Sequence, residues 1–342
     1  MMRLPPFRYL APVSVADAAK LMADHGSAAM LVAGGTDLFP NMKRRQFEPS
    51  VLVGLRGIRD LSGVRCEPAG GLRIGAGTTL TAVARHPDLA TAYSALATAA
   101  GVVSTPQLRA MGTLGGNVCV DTRCNYYNQS YQWRKAVNFC MKKDGEICLV
   151  APGSPRCWAV SSSDTAPVLW SLGATVRLVG PSGERTIPIA ALYRDDGIEY
   201  LAKRPDEVLV DIHLPPADGI HSVYLKLRRR GAFDFPVLGV AVALQMDADR
   251  IASARIVLGA VASLPREAAE AAGMLAGQRL EPDLIAAVAE RAARPSKPLD
   301  NTDLTHPYRK KMTRVYVERA LRRLAGLADG GRPDPFIEEA RP

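Results

Sequence analysis

Apolar residues recur at helical spacing from Val15 to Ala23, directly after Ser14, which predicts a helix capped by the Ser14 hydroxyl. The short run Met30 to Ala33 is apolar throughout, the pattern of a buried strand, and it leads into Gly34-Gly35. Further strands are predicted at Val51 to Leu55 and Leu72 to Ile74, and a helical stretch from Leu80 to Ala100 is interrupted by Pro87. From Gly112 to Trp158 periodicity lapses and cysteines, aromatics and turn residues concentrate, so this segment reads as a long loop that something must hold in place. Regular patterns return with a helix over Ala166 to Leu172. Strands follow over Thr175 to Val179, Val208 to Leu214, Ser222 to Arg228, Val237 to Gln245 and Ala254 to Ala260. The last three are joined by short turns and predict an antiparallel sheet. Helical spacing over Arg266 to Ala276, Glu281 to Ala293 and Tyr308 to Leu327 predicts helices covering one of its faces. The fold class is α+β, without internal repeats, and the Gly/Pro-rich residues beyond Asp329 read as a loose tail.

With 342 residues the chain exceeds most single cores and is expected to divide into two or three units. Its longest apolar stretches, such as Val237 to Leu244, fall far short of the ~20 residues of a membrane-spanning helix. The segment Met1 to Arg8 has no apolar core or cleavage site of a signal peptide, which places the chain in the cytoplasm. The net charge of +9 is dispersed in short groups, Lys43 to Arg45, Lys226 to Arg230 and Arg309 to Lys311, with no nucleic-acid motif. That excludes nucleic acid as the expected partner and points to cofactor phosphates and an acidic protein.

Two glycine turns carry candidate chemistry. Val32-Ala33-Gly34-Gly35-Thr36-Asp37-Leu38 follows a strand, and its paired glycines let main-chain amides approach anionic oxygens. Thr113-Leu114-Gly115-Gly116-Asn117 repeats the arrangement about eighty residues later. Neither is a Walker A loop or a Rossmann fingerprint; two tight turns without a ligand remain the alternative to a pyrophosphate held from both sides. Arg73 to Gly77, with a lone pair of glycines, reads as a bend.

Four of the six cysteines, Cys124, Cys140, Cys148 and Cys157, fall within 34 residues, at separations of sixteen, eight and nine. Thiolates suit zinc or iron–sulfur clusters, and the absence of close Cys-x2–4-Cys pairs fits a cuboidal cluster at least as well as zinc. Spacing alone leaves a cluster, zinc and unliganded thiols all open. Cys119 reads as a small buried residue and Cys66 as an unliganded one on a loop between strands. The five histidines are scattered, and no His-Glu-x-x-His or Gly-x-Ser-x-Gly indicates hydrolysis.

The two turns, together with Ser163-Asp164-Thr165-Ala166-Pro167, Glu207-Val208-Leu209 before His213-Leu214-Pro215, and Lys226 to Asp234, resemble in order the FAD subunits of the xanthine oxidase and carbon monoxide dehydrogenase superfamily. The resemblance runs from about residue 5 to 325. It implies a two-part FAD-binding domain of the molybdopterin dehydrogenase type, over 1–58 and 59–217, then a C-terminal unit over 218–328 and a tail over 329–342. FAD would be held by Leu31 to Leu38, with Leu31, Val32 and Ala33 leading into Gly34, Gly35, Thr36 and Asp37. Thr113, Gly115, Gly116 and Asn117 would clasp the pyrophosphate from the other side, with Val103 near the adenine or ribityl chain. Asp164 would bond sugar or ribityl hydroxyls, Leu209 would pack on the rings and Lys226 would lie near the isoalloxazine. Without the resemblance these three read as a helix cap, ordinary core and a solvated charge.

Gly115 to Cys124, Tyr127 to Ser130 and Trp133-Arg134, with the later cysteines, resemble the 4-hydroxybenzoyl-CoA reductase branch of that superfamily. There an inserted loop, here 118–158, binds a [4Fe–4S] cluster through four cysteines. Tyr126, Tyr127, Tyr131, Trp133, Phe139 and Trp158, six of the twenty aromatics, are expected to shield it. The resemblance implies an electron relay between one-electron and two-electron carriers. Its partners would be a molybdopterin subunit, a [2Fe–2S] subunit, a dimer-of-heterotrimers assembly and a ferredoxin. The alternatives are a subunit of a molybdenum hydroxylase acting on another aromatic, aldehyde or heterocycle, and a zinc-stapled nucleotide-binding subunit.

Overall fold

The computed structural model describes residues 3–328; the expected tail lies outside the described residues. The first unit runs β1 (Arg8–Leu10), α1 (Val15–His25), β2 (Ala29–Val32), α2 (Leu38–Lys43) and β3 (Val51–Gly54). The Ser14 hydroxyl accepts from the Asp17 amide at 3.0 Å, which starts α1 where the sequence places it. β3 lies between β1 and β2, parallel to both, with Ala29 opposite Val51. Ala18, Ala19 and Met22 of α1 pack on Val51 and Val53, and also on Val208 and Val210 of the next unit.

The second unit comprises β4 (Val64–Cys66), β5 (Leu72–Gly75), α3 (Leu80–Arg85), α4 (Pro87–Ala92), α5 (Ser94–Gly101), α6 (Pro106–Arg109), α7 (Leu114–Val118), α8 (Tyr131–Ala136), α9 (Thr165–Ser171), β6 (Thr175–Gly180), β7 (Gly183–Pro188) and β8 (Val208–Leu214). Its antiparallel sheet has the order β4-β5-β8-β6-β7. The stretch from Leu80 is three helices rather than one interrupted helix, with Pro87 opening α4. The segment expected as featureless loop contains α7 and α8, each capped by a hydroxyl, Thr113 and Ser130. Cys66 lies on exposed strand β4 rather than on a loop.

The third unit runs β9 (Ile220–Leu227), β10 (Leu238–Asp247), β11 (Arg250–Gly259), β12 (Arg266–Glu267), α10 (Ala269–Gly273), α11 (Pro282–Ala292) and α12 (His306–Leu324). The helix expected from Arg266 is delayed by β12, whose two residues pair with Val257 and Leu258. The sheet is antiparallel as expected, but helices cover both faces. Val240, Val242 and Leu258 pack under α11 and α12, whereas Tyr224, Ala241 and Ala243 join the core of the second unit. Alternation along β9 and β10 therefore sends one set of side chains to each core. Pro167 of α9 packs against Gly259, where an added Cβ would meet its ring at 3.2 Å.

Candidate functional site

β2 delivers the chain to the first glycine turn with Val32 buried. A Cβ on Gly34 would strike the Met111 carbonyl, and Gly35, at φ +69, lies against the Phe39 ring. The first turn thus sits directly on Met111-Gly112, the residues leading into the second, and Gly112 lies beside the Thr36 hydroxyl. The amides of Gly34, Gly35, Thr36 and Asp37 donate to no main-chain oxygen among the described residues. Thr36 faces the second turn; Leu31 and Leu38 pack at the rims of two small cores.

The second turn is arranged differently. Leu114 and Gly115 donate to the carbonyls of Thr78 and Ala76 at 2.9 and 2.8 Å, and Asn117 donates to Thr113 at 2.9 Å. Gly116 donates to the Thr113 hydroxyl at 3.1 Å. All four amides are engaged inside the protein, so an open first turn is braced on a closed second one. Gly115 is required by packing, since a Cβ would sit 2.7 Å from that of Ala76. Asn117 is a pin: its Oδ1 accepts from Ser163 Oγ, Thr165 N and Thr165 Oγ1 at 2.9, 3.1 and 2.7 Å, fixing the segment that carries Asp164.

Asp164 is buried, and its carboxylate receives Lys226 Nζ at 2.9 Å and Tyr224 Oη at 2.8 Å. Burial pushes this carboxyl above its ordinary range while Lys226 pulls it back, and burial likewise lowers the Lys226 ammonium. Lys226 and Arg228 both donate to the Val102 carbonyl, at 3.1 and 3.0 Å, and Arg109 donates to that of Val103 at 2.8 Å. Phe233 donates to the Ser104 carbonyl at 2.9 Å, and both residues hold left-handed backbone, φ +72 and +47. Strain of this kind persists only where the surroundings enforce it. Phe235 stacks under the Arg123 guanidinium, 4.1 Å from the ring centre, and Arg123 is paired with Asp37 of the first turn. Burial lowers Arg123 to about 10, so it stays charged at neutral pH. Loops 102–104, 228–235 and 34–37 therefore share one rim. Leu209, in contrast, lies in β8 as part of the core.

The four cysteines of the loop are all buried. Cys124, Cys140 and Cys157 share one apolar cluster with Tyr127 and Ala159, and the thiol of Cys157 feels the charges of both Cys140 and Cys148. Burial pushes Cys124 up to about 12 and Cys157 up to about 11. Main-chain amides of Tyr126 and Tyr127 are aimed at the Cys124 sulfur, and that of Ala159 lies 3.4 Å from the Cys157 sulfur. Amides pointed at buried sulfurs stabilise thiolates, the form that ligates metal. Among the described residues no three His, Cys, Asp or Glu side chains are gathered tightly enough for a single metal ion.

Gln46 donates to the Tyr127 carbonyl at 2.7 Å, Arg134 to those of Arg44 and Arg45 at 2.9 and 3.1 Å, and Asn301 to that of Trp158 at 2.6 Å. The loop is thus fastened to the first and third units. The aromatic shell is narrower than expected: Tyr127 is buried, but Tyr131 and Trp133 are 42% and 39% exposed. Cys119, whose thiol burial raises to about 11, lies after the second turn and away from this cluster.

Residues 5–217 match the family described as FAD binding domain in molybdopterin dehydrogenase, and residues 222–324 match the CO dehydrogenase flavoprotein C-terminal domain. The chain is 31% identical over 323 residues to the carbon monoxide dehydrogenase medium chain of Afipia carboxidovorans, covering 94% of this chain and 98% of that one. It belongs to the xanthine oxidase and CO dehydrogenase family, as an FAD-binding medium subunit.

This flavin subunit is also 34% identical over 257 residues to the aldehyde oxidoreductase FAD-binding subunit of Escherichia coli, covering 72% and 79% of the two chains. Its fold is similar to that of reconstituted CO dehydrogenase from Oligotropha carboxidovorans, with TM-score 0.79 at 30% identity over 96% of this chain and 100% of that one. The chain is therefore an oxidoreductase subunit with an FAD electron relay, the medium component of a molybdenum enzyme that also has large and small subunits. Among the described residues no helix is long and apolar enough to cross a membrane. The open amides of residues 34–37 and the glycine-dependent closeness of the turns fit a dinucleotide.

The sequence reading missed Arg123, Tyr224, Arg228 and Phe235. Tyr224 was the accessible one: it sits two residues before Lys226 on the same strand, so alternation puts both side chains on the Asp164 face.

Proposed function

We propose that this chain passes electrons between a [4Fe–4S] cluster, ligated by Cys124, Cys140, Cys148 and Cys157, and FAD seated on the Gly34–Asp37 turn. The observation that carries this reading is that all four cysteines are buried and three of them, Cys124, Cys140 and Cys157, share one apolar shell, with Arg123, the neighbour of Cys124, paired to Asp37 of the first turn. The separations of sixteen, eight and nine residues, without close Cys-x2–4-Cys pairs, fit a cuboidal cluster at least as well as zinc. FAD exchanges one or two electrons and a cluster one, so the pair forms a junction between the two kinds of carrier. The protein's part is positional. Asp37 is held by Arg123 and by Asn41 Nδ2 at 3.0 Å, Lys226 is held by Asp164, and the loop excludes water from the sulfurs.

The domain division 1–58, 59–217 and 218–328 is supported by the three sheets, which fall one within each range. For the complex we propose reductive dehydroxylation of 4-hydroxybenzoyl-CoA, with ferredoxin as donor and a dimer of heterotrimers as the assembly. The resemblance of residues 115–157 supports it, and a net charge of +9 suits an acidic carrier. The second reading, a hydroxylase running electrons outward, is favoured by relatives named for carbon monoxide and aldehyde oxidation. Purified chain with one FAD, four irons and a low-temperature paramagnetic signal on reduction is the expected result; stoichiometric zinc without iron refutes the relay. Reconstituted complex that makes no benzoyl-CoA from 4-hydroxybenzoyl-CoA and reduced ferredoxin decides for the hydroxylase.

A further inference from the structure

Lys142 follows Cys140 by two residues, yet it does not reach solvent as a loop lysine ordinarily would: its side chain is 5% exposed. Its ammonium donates to Asp121 Oδ1 at 2.7 Å, to Thr122 Oγ1 at 2.5 Å and to the Gly197 carbonyl at 2.6 Å. Gly197 in turn donates to the Cys157 carbonyl at 2.9 Å and lies so close to that residue that an added Cβ would be 2.7 Å from the Cys157 sulfur. The same ammonium stands 4.7 Å from the centre of the Tyr127 ring, which belongs to the cysteine shell. It also stands 5.5 Å from the centre of the Tyr200 ring, and Tyr200 donates to the Cys119 carbonyl at 3.1 Å, just beyond the second glycine turn. A desolvated cation is therefore built in beside the cysteine shell and linked through Tyr200 to the end of the second turn. Its counter-ion, Asp121, is buried with it.

We propose that the Lys142–Asp121 pair sets the reduction potential of the cluster, with Lys142 as the residue that favours the reduced state. The inference rests on the cluster reading above. Each electron accepted adds one negative charge to a cage already carrying four thiolates, and a fixed positive charge in a low-dielectric wall stabilises that added charge. Asp121 carries the opposite charge in the same buried pair, so the two residues act with opposite signs. A pair serving only to hold the loop in place would not show that opposition, because loss of either partner would loosen the same wall.

The test is an anaerobic redox titration of the full chain carrying its cofactors, read by the low-temperature paramagnetic signal of the reduced cluster. Lys142→Met is expected to lower the midpoint by at least a tenfold change in the reduced-to-oxidised ratio, about 59 mV for a one-electron couple. Asp121→Asn, close to isosteric and retaining the Oδ1 acceptor, is expected to raise it, and its arm stands even if Lys142→Met fails to assemble. An unmoved midpoint in Lys142→Met, or a fall in Asp121→Asn, overturns the proposal while leaving the cluster in place. A wild-type chain with flavin but no iron signal overturns the cluster reading itself, and this inference with it.

Discussion

Replacing Lys226 with Met leaves Asp164 as a buried carboxylate facing an apolar chain. Both partners of the wild-type pair are nearly inaccessible, 4% and 2% exposed, and they meet at 2.9 Å. Removing one partner of such a pair costs about 3–5 kcal/mol because the other charge stays desolvated. Here the lower end applies. Tyr224 still donates to Asp164 at 2.8 Å, and Arg228 still serves the Val102 carbonyl, so neither acceptor is wholly orphaned. Protonation offers a second relief, and it makes the loss depend on pH. Burial holds the Asp164 carboxyl above its ordinary range, so in the variant the folded chain retains a proton that the unfolded chain releases near pH 4. Variant stability therefore falls as pH rises from about 4 to the raised native value, by about 1.4 kcal/mol per unit inside that window, and is flat above it. Urea unfolding of wild type and Lys226→Met at matched flavin content is expected to give a deficit of about 3 kcal/mol at pH 8 and a smaller one at pH 5. A deficit under about 1 kcal/mol at pH 8, or one that is larger at pH 5, refutes the reasoning.

Gly34→Ala drives a Cβ into the Met111 carbonyl and forces the two turns apart. Overpacking of about 1–3 kcal/mol at that contact predicts at least about fivefold weaker FAD retention, measured by flavin fluorescence on dilution, and unchanged retention contradicts it. On the relay proposed above, Cys140→Ser is expected to abolish bound iron while FAD remains, since the contacts of Tyr127, Arg123 and Arg134 with the first unit do not pass through that sulfur. Iron and flavin analysis of the same sample checks it, and joint loss from a folded chain counts against separate sites. Arg309→Met removes the donor to the carbonyls of Val237, Leu299 and Ala260 under α12. Two buried acceptors, the Val237 and Ala260 carbonyls, at about 1–3 kcal/mol each predict a loss of at least about 2 kcal/mol in chemical unfolding, and a loss below about 1 kcal/mol sinks that account.

Much of the architecture was legible because it follows local rules. Ser14 caps α1, β8 runs from Val208 to Leu214 as its apolar run requires, and the three C-terminal strands pair antiparallel. The failures share a cause. β1 and β12 are too short to have a period, and β7 reads as polar because its side chains are mostly exposed. The double cover of the third sheet was hidden because alternation tells that a strand has two faces, not which helices of another unit will fill the second. At the site, the glycine turns and the cysteines stood out by residue type and Asp164 and Lys226 through the family resemblance, whereas Arg123 and Lys142 gain meaning only from partners distant in the chain. Arg123 reaches Asp37, eighty-six residues away, and no local pattern encodes that.

On the relay proposed above, the way the cysteine loop is attached would account for a second redox centre on a shared flavin fold. Its fastenings to the first unit are directed largely at main-chain carbonyls rather than at special side chains: Arg134 donates to those of Arg44 and Arg45, just beyond the end of α2. Carbonyls at a helix C-terminus lack partners in any helix and attract a cation, whatever side chains surround them. Gln46 reciprocates by donating to a carbonyl of the loop. An insertion anchored in this way requires little of the host sequence, and it places Cys124 next to Arg123, the residue that holds Asp37. The geometry that seats the loop thus also ties Cys124, through the neighbouring Arg123, to Asp37 of the first turn, so that the loop's attachment and its link to that turn arise from the same few contacts.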